Sequence, residues 1–285
     1  MGGIGFHLPF SGNVKKIVKR LQDNRANTFQ IYSRGLRGVS KNGVVYPLKE
    51  IKPRALKEYQ EFKFERNIRD MVLHAPFVFT VVGEDNQFLK YIIEDLNYAD
   101  ELEIPYYVLP IGAQKEMHEY DAMESIKDNL RYVLDKSKWT GTILIKNSSG
   151  AGTEMPRNLD QWNELISFHD RVKGACDISR LYSFGMDILN EAGQVFEEIE
   201  VEVGWEKIEL LYLNDTLLGC GDRKNRFIPI GTGVIGFEGM ERFLMTSPVL
   251  CKMNWIMEYM ESEEYKERDR ALERLVSTRW EGGRK

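Results

Sequence analysis

The fold class that the sequence predicts is a single (β/α)8 barrel, and three observations predict it. Eight short apolar runs recur along the chain, stretches with apolar residues at three- and four-residue intervals separate them, and 285 residues at 42% hydrophobic content suffice for one large core. Alternation of this kind, with no repeat of short period and no composition break, favours a closed eight-fold barrel over an open sheet or two domains. The whole chain, 1–285, is therefore read as one domain.

Taken in order, Gly3–Phe6 is the first candidate strand and Asn13–Gln22 the helix that covers it. Thr28–Ile31 and Met71–Leu73 follow as strands, then Asp85–Leu102 as a helix. Tyr106–Leu109, helix Met117–Leu134, Thr142–Ile145, helix Asn158–Val172 and Lys173–Cys176 continue the alternation. Glu209–Leu213, helix Gly236–Leu244 and Ser247–Cys251 complete it. The tail from Trp255 to Arg274 is highly charged and reads as one surface helix, within a helical segment of about 255–280 that ends in a frayed terminus.

Charge and cysteine content narrow the environment. The net charge of −5 conceals an asymmetry: residues 1–66 hold 14 Lys+Arg against 5 Asp+Glu, and the remainder 25 against 39. A basic N-terminal quarter is a landing surface for a phosphate-bearing partner, or simply the solvated face of helices. No apolar run reaches membrane-spanning length, and Cys176, Cys220 and Cys251 have neither metal-type spacing nor an even number for disulfides. The expectation is a protein of the cytoplasm or another reducing compartment, neither secreted nor membrane-bound.

Sites in a barrel of this kind sit where the strands end. The residues there are His7, Ser33–Arg37, His74, Pro110, Lys146, Asp177, Tyr212 and Lys252, a mixed set rather than converging imidazoles and carboxylates. The Gly-rich run GTGVIG (231–236) lacks the Lys-Ser/Thr of a phosphate loop and reads as a tight turn into a helix.

Five collinear segments carry a family resemblance. The opening GFHLPFSGNVKKIVKRLQDNRANTFQIYSRGLRG, then VLHAPF (72–77), IKNSSGAGTEM (145–155), YLND (212–215) and NRFIPIGTGVIG (225–236) together resemble the endonuclease IV family of apurinic endonucleases over about residues 3–252. The resemblance implies a TIM barrel that binds three zinc ions and cuts DNA beside abasic sites. It also removes most of the ligands. His74 and Asp177 stand unchanged, whereas Pro110, Arg180, Tyr212 and Phe227 replace histidines, Asn225 an aspartate, and Lys146 and Lys252 the glutamates ending the fifth and eighth strands. Proline and phenylalanine offer zinc no electron pair, and lysine or arginine puts a positive charge where the cation would sit.

No cofactor is expected on that ground. The primary expectation is a catalytically degenerate relative that binds double-stranded DNA or serves as a structural or regulatory subunit. Candidate nucleic-acid contacts are Arg34, Arg37, Phe77, Lys146, Arg180 and Lys252, of which Arg37 and Phe77 match an arginine and an aromatic that the family inserts into the minor groove. Lys146, Arg180 and Lys252 either keep the mouth positive and bind phosphate or form salt bridges; Asp177 either pairs with Arg180 or a lysine or stays active; His74 is either a residual ligand or a hydrogen-bonded core histidine. Two other readings stay open: an active endonuclease drawing metal ligands from Glu154, Asp215 or Asp222, and a scaffold that docks a protein partner.

Overall fold

A computed structural model describes residues 2–8, 17, 19, 21, 26–35, 37–48, 53–65, 68, 71–84, 86–224, 226–258, 274 and 277. Strands β1 (Ile4–His7), β2 (Thr28–Tyr32), β3 (Val72–His74), β4 (Tyr106–Leu109), β5 (Thr142–Lys146), β6 (Val172–Asp177) and β7 (Ile208–Tyr212) follow one another around the barrel. A minor antiparallel pair, β8 (Asp215–Thr216) and β9 (Phe227–Ile228), stands beyond β7. Then β10 (Asn254–Met257) slots between β7 and β1 and closes an all-parallel barrel of eight strands.

Helices α1 (Pro53–Glu65), α2 (Leu89–Glu101), α3 (Glu119–Lys136), α4 (Leu159–Ser167), α5 (Ile178–Phe184), α6 (Ala192–Glu202), α7 (Gly236–Leu244) and α8 (Pro248–Lys252) are the helices bounded among the described residues. Of the expected helix Asn13–Gln22, Ile17, Lys19 and Leu21 are described, all helical. The strands are buried on both faces, and so they read as continuous apolar runs rather than alternating ones.

The two faces build two cores. Inside the barrel, Val72, Val108, Leu144, Ala175, Leu210, Tyr212 and Ile256 form a plug of their own. Outside it, a larger cluster fills the gap between strands and helices; Trp162, fully buried on α4, ties that layer down by donating its indole N–H to the Ile145 carbonyl at 2.9 Å. Gly5 marks a close approach: a Cβ there would lie 1.8 Å from the Thr28 carbonyl oxygen of the neighbouring strand. β1 and β2 therefore meet at a distance only glycine permits.

One element expectation is overturned. Ser247–Cys251, read as the eighth strand, is instead capped by Ser247 and wound into α8, whereas the eighth strand is Asn254–Met257, inside the segment expected to be a surface helix. Pro248 is the physical reason. It sits in the first turn, where its missing N–H costs nothing, and the Ser247 hydroxyl accepts from the Val249 amide at 3.2 Å. Beyond Glu258 the expected tail helix lies outside the described residues, save Arg274 and Ser277.

Trp255 discriminates the two assignments. It has no exposed surface, and its indole N–H donates to the Leu250 carbonyl at 2.8 Å. Trp255→Ala should cost about 3–5 kcal/mol in urea unfolding, whereas a residue on a surface helix would cost under about 0.5 kcal/mol.

Candidate functional site

The mouth at the strand C-termini is organised around Lys146, the last residue of β5. Its Nζ lies 2.7 Å from a Glu258 oxygen, 3.8 Å from an Asp177 oxygen and 3.6 Å from the centroid of the Tyr212 ring. Glu258 follows β10 directly, so the position expected to carry Lys252 carries a carboxylate. Lys252 is exposed at the end of α8 and precedes a strand parallel to all the others, which puts it at the opposite end of the barrel. Glu258 thus stands at the end of the eighth strand, where Lys252 was expected, in the same mouth as His74 and Asp177.

Glu258 is also the acceptor of a wider network. Gln30 donates to it at 3.2 Å and the Tyr32 hydroxyl at 3.5 Å, while Tyr212 donates its hydroxyl to the Gln30 side-chain oxygen. Burial, the largest single influence, would raise the Glu258 carboxyl, but the Lys146 ammonium and its hydrogen bond, together with His74 and His7, hold the group down at about 2. Burial, reinforced by the negative charge of Glu258, moves the Tyr32 hydroxyl far above its ordinary range.

Asp177 ends β6 and caps α5. One oxygen accepts from the Ser179 amide at 3.1 Å and the Ser179 hydroxyl at 2.7 Å; the other accepts from Asn214 at 3.1 Å. Arg180, one turn further on, reaches Asp177 at 4.0 Å and Glu154 at 2.5 Å. Glu154 additionally collects the Ser148 hydroxyl and the Ser149 amide and hydroxyl. Burial opposes its charge, yet Arg180 and these donors leave its pKa below the ordinary value. Of the two readings left open for Lys146 and Arg180, phosphate binding or salt bridges, the mouth shows the salt bridges. Two cations meet three carboxylates, and each cation is held by at least one of them.

The two histidines of the mouth are buried and neutral at pH 7. Burial lowers His7 to about 4, against the pull of Glu258, and lowers His74 to about 3 with Lys146 adding to it. His7 comes within 3.4 Å of Gln30 and lies against Tyr32. The His74 Nδ1–H donates to the Ala75 carbonyl at 2.5 Å, and no hydrogen-bond donor reaches its Nε2. His118 and His169 lie elsewhere, accepting backbone amides of Tyr120 and Arg171.

A cavity of about 440 Å³ opens beside these groups, with Phe77, Pro110, Met155 and Phe227 among its walls together with His74, Lys146, Glu154 and Arg180. Phe77 is 41% exposed and packs edge-on to both Tyr32 and His74. Arg37 is exposed on the loop after β2, and the next residue, Gly38, approaches Pro76 so closely that a Cβ would lie 2.3 Å from the proline ring. Arg37 and Phe77 thus belong to adjoining loops of one rim. Arg34 does not share that exposure: its guanidinium is spent on Asp95 at 2.9 Å, Glu94 at 2.5 Å and the Tyr46 carbonyl at 2.9 Å.

Of the other carboxylates considered as ligands, Asp215 is saturated by backbone amides of Thr216, Gly231, Gly233, Ile235 and Gly236 at 2.8–3.1 Å. That is why GTGVIG forms a tight turn: it wraps a carboxylate from the chain itself. Asp222 caps a surface turn through the Gly219 amide. Among the described residues no group of three or more His, Cys, Asp or Glu is arranged to hold a metal ion, and Asn225 lies outside them. Glu258 is the site residue that sequence reasoning missed; the apolar run just before it was the available signal.

Comparisons with known proteins place these features in context. Residues 26–275 match the family described as xylose isomerase-like TIM barrel. A "Probable endonuclease 4" of Carboxydothermus hydrogenoformans is 30% identical over 263 residues, covering 90% of each chain. One of Clostridium botulinum is 28% identical and covers 97% of this chain and 99% of its own. The crystal structure of endonuclease IV from Thermus thermophilus superposes with a TM-score of 0.83 at 20% identity, covering 98% of this chain and 99% of that one. No described helix is long and apolar enough to cross a membrane.

Buried neutral imidazoles make stability depend on pH. An unfolded imidazole titrates near 6.5, so between there and the native values near 4 and 3 the unfolded chain binds protons that the native chain refuses. Stability should fall on acidification from pH 7 to 5 by up to about 1.4 kcal/mol per pH unit for each imidazole. Glu258 acts in the same direction but lower, its contribution fading as pH drops from the ordinary carboxyl range toward 2. Urea midpoints that stay level from pH 7 to 5 would contradict neutral burial of His7 and His74.

Proposed function

The chain belongs to the xylose isomerase-like TIM barrel family, in its endonuclease IV-like branch, and we propose that it binds duplex DNA at the barrel mouth without zinc and without cutting the strand. The observation that carries this reading is the Lys146 ammonium, lodged between Glu258 and Asp177 at 2.7 and 3.8 Å. A divalent cation bridging those carboxylates would meet a fixed positive charge within contact distance. Pro110 and Phe227 offer no ligand atom, and the Tyr212 hydroxyl is engaged with Gln30 and pushed well above its ordinary pKa by burial. The residues present do not fit a three-zinc centre.

Hydrolysis without a metal would need another source of nucleophile. Zinc lowers the pKa of bound water to near 7, which lysine and arginine cannot do. His7 and His74, with pKa values near 4 and 3, are poor bases at neutral pH, and Asp177, Glu154 and Glu258 are all held by Lys146 or Arg180. Binding does not share that requirement. Arg37 and Phe77 stand on one exposed rim, and the relatives are named as endonucleases. A guanidinium and an aromatic edge are suited to a duplex backbone and an opened groove. Arg34, Lys146, Arg180 and Lys252 are left out of the proposed interface, the first three because their charges are already paired, the last because it lies at the far end of the barrel.

Two measurements test the reading. An end-labelled duplex with one abasic site, incubated with the protein with and without chelator, should shift in a gel and remain intact in both lanes. Chelator-sensitive incision would instead establish an active endonuclease, and neither shift nor incision would redirect attention to a protein partner. Arg37→Glu should weaken duplex binding and flatten the dependence of log affinity on log salt by roughly one phosphate contact. Unchanged affinity at low salt would remove Arg37 from the interface.

A further inference from the structure

The loop that presents Arg37 is tied down by the arginine three residues before it. Tyr91, Glu94 and Asp95 lie three and four residues apart on α2, so they share one face of that helix, and Arg34 meets all three. Its Nε donates to Asp95 at 2.9 Å, its Nη2 to Glu94 at 2.5 Å, and the guanidinium lies 5.3 Å from the centroid of the Tyr91 ring. The remaining nitrogen, Nη1, crosses to the Tyr46 carbonyl at 2.9 Å. A guanidinium is a planar fork, so acceptors in three directions fix its orientation as well as its place.

Tyr46 is where the loop after β2 returns. Its amide donates to the Gly38 carbonyl at 2.8 Å, Val39 bridges Val45 antiparallel, and the Ser40 amide donates to the Val44 carbonyl at 2.8 Å. Residues 38–46 are therefore a short hairpin, joined through Gly38 to Arg37 and through Tyr46 to Arg34. Its tip stands in solvent: Lys41, Asn42 and Gly43 are exposed, and Val44 and Tyr46 are 65% and 45% exposed. A two-stranded hairpin of this size is marginal in water unless something else holds it.

The anchor on α2 is firm. Asp95 is fully buried and also accepts the Ser33 hydroxyl at 2.7 Å and the Tyr107 hydroxyl, from β4, at 2.8 Å. Burial pushes its carboxyl up to about 6 against the pull of Arg34 and these hydroxyls, so it is still ionised at neutral pH. A buried carboxylate with this set of donors holds its guanidinium in one geometry.

We propose that Arg34 is a positioning residue for duplex binding: through the Tyr46 carbonyl it fastens the hairpin 38–46 to α2 and so sets where Arg37 stands before DNA arrives. The inference rests on the duplex-binding reading above and adds to it a reason why the Arg37 contact is made from a preordered loop. A loop that samples other positions binds with its affinity reduced by the fraction of time it spends in the competent one.

Two variants loosen the tether without stranding a buried charge. Arg34→Lys keeps a cation beside Asp95, but an ammonium lacks the spread of the fork. Arg34→Gln combined with Asp95→Asn removes both buried charges together. Duplex affinity is read by fluorescence anisotropy for each background with and without Arg37→Glu, and amide hydrogen exchange is read on the free proteins. Both variants should bind several-fold more weakly, and Arg37→Glu should lose most of its effect in them, because an unfastened loop no longer presents Arg37. The amides of Ser40 and Tyr46 should exchange several-fold faster, while those of β5 keep their protection. A role in stability alone would leave the Arg37→Glu effect the same fold in every background, and that result would overturn the inference. Loop amides that are unprotected in the native chain, or equally protected in Arg34→Lys, would overturn it without reference to DNA. Absence of any anisotropy change with the native chain would instead remove the duplex-binding reading.

Discussion

The mouth of this barrel depends on one ammonium group. Three carboxylates, Asp177, Glu154 and Glu258, stand within a few ångströms of the strand ends, and isolated burial of even one would cost several kcal/mol. Lys146 compensates two of them at once and rests its charge on the Tyr212 ring, while Arg180 compensates the third. Burial chiefly keeps the histidines neutral, and the same ammonium adds to it: protonating His7 or His74 would put a further positive charge beside Lys146 in a dry environment. Hydrogen bonds from Gln30, Tyr32 and Asn214 then fix which oxygen faces which cation.

Much of this was legible before any coordinates. Tyr106–Leu109 was placed to the residue, and Thr28–Tyr32 and Thr142–Lys146 to within one, because a strand buried on both faces leaves an uninterrupted apolar run between turn residues. Strand ends then brought His74, Lys146 and Asp177 to the mouth without knowledge of their contacts. The failure at the last strand has the same origin as the successes. Ser247–Cys251 and Asn254–Met257 are both short apolar runs, and periodicity cannot separate a strand from one turn of buried helix. The acidic residues following Met257 made the second run look like the start of a charged helix, and Glu258 was hidden among them. Placing Lys252 at the mouth followed from that single slip.

Arg34 failed for a different reason. In sequence it is one arginine of a basic loop, indistinguishable from Arg37 three residues later. Its partners Glu94 and Asp95 lie about 60 residues away on α2, and a pairing at that separation leaves no local pattern. Among the described basic residues of this stretch, Arg34 is structural, while Arg37, Lys19, Lys41 and Arg54 face solvent.

Asp215 offers the remaining lesson. A run of glycines after a strand suggests a cradle for an anion from outside, yet here the anion is a side chain of the chain itself, bound to amides from 216 to 236. That carboxylate also sits in β8, whose partner β9 contains Phe227, a wall of the cavity. That one wall of the pocket is therefore held from outside the pocket. Walls that owe their position to a remote clamp can exchange their side chains one at a time while the opening keeps its outline, so the chemistry of the mouth is free to drift faster than its shape.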